Sequence, residues 1–75
     1  MIETPQQVLE NSFRIAWDYL ERTGELGEPE TAAGVLLNAI GTMMSRGEYR
    51  KLLLSNRAIT AYQSWQAKRD FALVS

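Results

Sequence analysis

Eight basic side chains, nine acidic ones and three tyrosines carry the titratable side-chain chemistry of this sequence, which contains neither histidine nor cysteine. The common zinc ligands, the common neutral-pH general base and the thiolate nucleophile are therefore missing. No metal and no cofactor is expected. Asp18 and Glu21 stand three apart on the polar side of a helical stretch, a spacing at which two carboxylates can share a proton or a divalent ion. Solvated helix faces carry such pairs routinely, and that reading is preferred. Lys51 and Lys68 have no evident desolvating pocket. Gly24-x-x-Gly27 lacks the lysine that a phosphate-binding loop needs. Serines are present without a base placed to activate one. The sequence is expected not to encode an enzyme.

The basic residues offer a different chemistry. Residues 1–45 hold seven carboxylates and two arginines, a net charge of −5, whereas residues 46–75 hold six cations and two carboxylates, a net charge of +4. Arg50, Lys51, Arg57, Lys68 and Arg69 form the candidate surface for a partner or a nucleic acid. Two segments flanking Ser55-Asn56 also read as a helix-turn-helix, with Asn56, Arg57, Thr60, Gln63, Gln66 and Lys68 turned to a groove; arginine and glutamine suit base edges. Against this stand a tight turn without glycine and an overall charge of −1, where nucleic-acid binders are usually basic. The plainer reading of the asymmetry is that the acidic half lies beside the basic half within one molecule. Trp17 and Tyr49, with Met43-Met44, could form an apolar strip for a partner helix; filling the core is the plainer role for most aromatics.

The elements that must position these residues are helical throughout. Thr4, Pro5 and Gln7 form a capping box with proline at the first helical position. Leu9, Phe13, Ala16 and Leu20 then follow one helical face. Gly24 ends this helix, and Gly24–Glu28 is a loop. Pro29 opens a second helix whose stripe is Ala33, Leu36, Leu37, Ile40, Met43 and Met44. On another face Gly34, Asn38, Gly41 and Ser45 recur at 4-3-4 spacing, which suits either close helix approach or a tolerated surface. Ser45-x-x-Glu48 has the form of a capping box, and Gly47 serves equally as a helix stop. A short third helix follows, with Leu52-Leu53-Leu54 well buried. Ser55 or Asn56 caps a fourth; a single helix over 48–69 is the alternative. Phe71–Val74 extends the last helix or crosses the bundle as a strap.

These signals predict an all-α fold, a compact bundle of three to four helices over about 5–23, 29–45, 48–54 and 56–69, forming one domain over 1–75. The expected core is Leu9, Phe13, Ala16, Leu20, Leu36, Leu37, Ile40, Leu53, Ile59, Tyr62 and Trp65. No stretch is apolar enough to span a membrane and no leader is visible, so a cytoplasmic protein without a membrane partner is expected. A chain this short has a thin stability margin, and without disulfides self-association is the support its composition leaves open. The leading expectation is a small protein-interaction module that binds a protein partner or itself as a homodimer. The alternative is a DNA- or RNA-binding protein that uses the basic C-terminal half.

Overall fold

A computed structural model describes the backbone of residues 3–74 and the side chains of residues 3–69. Three helices occupy it: α1 (Pro5–Arg22), α2 (Pro29–Ser45) and α3 (Lys51–Val74), with no strand among the described residues. The predicted start of α1 is present in full. The Thr4 hydroxyl accepts from the Gln7 N–H, and the Gln7 side chain accepts from the Thr4 N–H. α1 and α2 end alike. Glu25 and Gly24 donate back to Leu20 and Glu21, and Glu48 and Gly47 donate back to Met43 and Met44. Gly24 and Gly47 supply the positive φ that this closure requires. Gly47 is thus the stop of α2. Ser45 caps nothing; its hydroxyl donates to the Thr42 carbonyl inside α2.

The third and fourth expected helices are one. α3 runs from Lys51 through Ser55 and Asn56 without a break and reaches Val74, so the tail extends the helix and does not cross the bundle. Ser55 does not need a terminus to satisfy its hydroxyl, which donates to the Leu52 carbonyl one turn back. Continuity also keeps Leu54, Ala58 and Tyr62 on one face at four-residue spacing, with Ser55 and Ile59 beside them. Three consecutive leucines cannot share that face. Leu54 is buried, Leu53 is half-buried, and Leu52 is 70% exposed, because each residue turns about 100° from the last.

The core lies along the meeting line of the three helices. α1 contributes Val8, Ser12, Ala16 and Leu20, α2 contributes Ala32, Leu36 and Ile40, and α3 contributes Leu54, Ser55, Ala58, Ile59 and Tyr62. Leu9, Phe13 and Trp65 flank it, half-buried. Leu37 was expected in the core and is 43% exposed. The apolar arc of α2 is wide, and its seam follows Ala32, Leu36 and Ile40, which turns Leu37 outward. Gly34, Asn38, Gly41 and Ser45 are exposed as well, and a Cβ at either glycine would meet nothing within 4 Å. Their face is open surface and not a site of close helix approach within this chain. Small seam residues instead occur at Ser12, Ala16, Ala32 and Ala58, all buried. The Ser12 hydroxyl is satisfied by the Val8 carbonyl at 2.7 Å.

The α1–α2 loop is fastened to the side of α3. The Tyr62 hydroxyl donates to the Leu26 carbonyl, and Gln63 donates to Glu25 at 2.9 Å. At the opposite end, Lys51 pairs with Glu3 at 2.9 Å, which sets the starts of α1 and α3 side by side. The helices therefore run up, down and up. α3, with 24 residues, outruns the loop beyond Gln66.

Candidate interaction surface

The five candidate cations do not converge. Arg50 immediately precedes α3 and Arg69 lies more than four turns along it, about 28 Å away at 1.5 Å per residue. Lys51 is engaged with Glu3, and the same bond is the first cause of the lowered pKa of Glu3. Arg50 is held by Glu48 in a two-pronged pair, Nε to Oε2 at 2.9 Å and Nη2 to Oε1 at 3.0 Å. The Arg50 N–H donates to Glu48 Oε2 as well. The Arg50 guanidinium and then this N–H pull the Glu48 carboxyl down from 4.5 to about 2. Arg69 lies over the Trp65 ring, 5.4 Å from its centroid. Arg57 and Lys68 are exposed on the flank of α3.

The nearest approach to a basic site lies where α2 ends and α3 begins. A shallow groove of about 350 Å³ is lined there by Met43, Arg46, Gly47, Glu48, Arg50, Leu53 and Arg57. Local signals build it. The glycine stop at Gly47 turns the chain so that Arg46, just past the end of α2, faces the first turns of α3. Glu48 then orients Arg50 beside the α3 backbone. Half-buried Met43 and Leu53 supply apolar lining between three guanidinium groups. Tyr49 and Leu52, both exposed, lie next to it in the chain. Sequence reasoning found Arg50 and Arg57 but missed Arg46, Met43 and Leu53 as their neighbours. The signal was Gly47, which as a helix stop folds Arg46 back toward Arg50.

The helix-turn-helix expectation is overturned in its geometry, because no turn exists at Ser55-Asn56. Two of its proposed groove residues are also engaged elsewhere. Gln63 holds Glu25, and Gln66 donates to the Tyr62 hydroxyl at 3.4 Å. Asn56, Arg57, Thr60 and Lys68 remain exposed.

The acidic half presents its own hollow. Glu10, Phe13, Arg14, Trp17 and Asp18 line a shallow depression of about 400 Å³ on the outer side of α1, with the Phe13 and Trp17 rings 5.5 Å apart. Asp18 and Glu21 are exposed. No group of three or more metal-ligating side chains comes together among the described residues. Among those residues a single ion pair, Glu3–Lys51, joins the acidic half to the basic half. The acidic half does lie beside the basic half within the molecule, since α1 and α2 both pack against α3. No helix among the described residues is long and apolar enough to cross a membrane. Compared with known proteins, the chain matches no family, and neither a curated protein nor a solved structure shows significant similarity to it.

Proposed function

We propose that this chain is a small, non-enzymatic protein-interaction module whose partner surface centres on the arginine groove between α2 and α3. One observation carries the reading. The acidic outer face of α1 and the arginines at the α2–α3 junction both face outward, and among the described residues Glu3–Lys51 is the one ion pair between the two halves. Charges left outside internal pairs steer association and select partners more than they stabilise a fold. Apolar Met43 and Leu53 between the arginines suit a protein surface, which brings apolar groups together with its charges. The test is affinity capture by the wild-type chain beside an Arg46→Glu/Arg57→Glu variant. A specific interaction surface should capture proteins that the variant loses. Identical sets from both would overturn the reading.

Nucleic-acid binding is the second reading, favoured by Asn56, Arg57, Thr60 and Lys68 on exposed turns of α3. Binding to phosphate would be tight at low salt and fall steeply as salt rises. A titration with duplex DNA and with single-stranded RNA at several salt concentrations separates the readings. Sub-micromolar, strongly salt-dependent affinity replaces the first with the second.

A further inference from the structure

We infer that the arginine groove receives the acidic hollow of α1 from a second copy of this chain. The inference rests on the interaction reading above and names its partner. The groove offers Arg46, Arg50 and Arg57 against one carboxylate, Glu48, around the half-buried side chains of Met43 and Leu53. The hollow offers the reverse arrangement. Two half-buried aromatic rings, Phe13 and Trp17, lie between the carboxylates Glu10 and Asp18. Arg14 shares that face, one turn from each carboxylate, and Glu21 lies one turn beyond Trp17, so the face stays acidic. Each surface supplies what the other lacks: an aromatic pair for an apolar floor, and carboxylates for guanidinium groups, which bind them in fixed planar geometry.

Within one chain the two surfaces are separate: the hollow is lined by residues of α1 alone, and the groove by residues of α2, α3 and the turn between them. Two copies can bring them into contact. A twofold arrangement would make it twice, once in each direction.

Sedimentation equilibrium and thermal melts of the full chain, from micromolar to millimolar concentration, test the inference. The wild type should self-associate, with a melting temperature that rises with concentration and an association that weakens in high salt. Arg46→Glu/Arg57→Glu should weaken self-association by more than about tenfold, since like charges then face each other. Glu10→Lys/Asp18→Lys should do the same. All four positions are exposed, and circular dichroism checks that both variants stay helical. An equimolar mixture of the two variants should regain association, because each then supplies the charge the other has lost. A wild type that remains monomeric throughout, variants that associate as it does, or a mixture that stays dissociated would each overturn the inference. Loss of captured proteins with Arg46→Glu/Arg57→Glu from a monomeric wild type would leave the interaction reading standing and remove only self-docking.

Discussion

Gly27 combines two constraints that few residues could meet. Its φ is +66°, and a Cβ there would lie 3.0 Å from the Tyr62 hydroxyl and 3.1 Å from Gln66 Nε2. Alanine in the left-handed region costs about 1–2 kcal/mol before any crowding. Gly27→Ala should therefore destabilise the domain by about 2 kcal/mol or more, since Tyr62 must also shift from the Leu26 carbonyl that it holds. Gly34→Ala should act in the opposite direction. Gly34 lies in an exposed stretch of α2 with nothing within 4 Å of a Cβ, and alanine gains up to about 1 kcal/mol in a helix. Urea titrations read both signs, and equal effects would show that the loop is not fastened to α3. Tyr62→Phe keeps the buried ring but leaves the Leu26 carbonyl without its donor. A loss of about 1–3 kcal/mol is expected in the same measurement. Burial raises the Tyr62 pKa, consistent with a phenol held neutral as a donor.

Seam choice governs stability among the helices. Leu36 and Leu54 are fully buried where α2 and α3 meet the core, whereas Leu37 and Leu52 lie on outward faces. Leu36→Ala or Leu54→Ala should cost about 2–5 kcal/mol through lost burial and a residual cavity. That is enough to unfold a domain with a total stability near 5 kcal/mol. Leu37→Ala should change stability by less than about 1 kcal/mol, despite its place one residue from Leu36. Circular dichroism at increasing urea separates them, and a Leu37→Ala loss matching that of Leu36→Ala would contradict the observed seam. The helix ends were legible because caps are local: Thr4, Pro5, Gly24, Pro29 and Gly47 each act through bonds within one turn. Ser55-Asn56 misled because serine caps a helix or sits inside one, and its own hydroxyl cannot decide between them.

The bundle is compact, and α3, its longest helix, prolongs it along one axis. Its radius of gyration is 12.8 Å, against about 11 Å for a typical 75-residue domain. Its accessible surface is 5361 Å², against about 4,700 Å² for a monomer of this mass. The backbone of α3 continues past Gln66 to Val74, which lengthens the bundle. Acid should weaken the fold, and neutral pH should not alter it. Glu3, Glu25 and Glu48 all have lowered pKa values, caused first by Lys51, Thr23 and Arg50 respectively. A carboxylate with a depressed folded pKa contributes stability above its unfolded value and loses it as pH falls through the folded one. For Glu48 that window runs from 4.5 down to about 2. The melting temperature should be nearly flat from about pH 6 to 8, where no histidine titrates, and should fall below about pH 4.5. Thermal melts across pH check this, and a melting temperature that rises on acidification would refute it. Glu48→Gln should remove part of the acid dependence.

What the amino-acid sequence determined by itself was the helical class, the bounds of α1 and α2 to within one residue, and the chemistry left out by the lack of histidine and cysteine. Periodicity and caps act over a turn or two, so the chain carries them without reference to the rest of the fold. The tertiary structure decided which edge of a wide apolar arc became the seam. It turned Leu37 outward, took Ser12 and Ser55 into the core, and carried α3 through Ser55. Each of these depends on the neighbouring helix, because a small hydroxyl bonded to its own backbone permits close approach that its polarity alone would argue against. The same holds for the arginines. Arg46, Arg50 and Arg57 became one groove, and Lys51, Lys68 and Arg69 did not join it, because the turn at Gly47 and the bond to Glu48 act in space, where a count of charges along the chain has no distances.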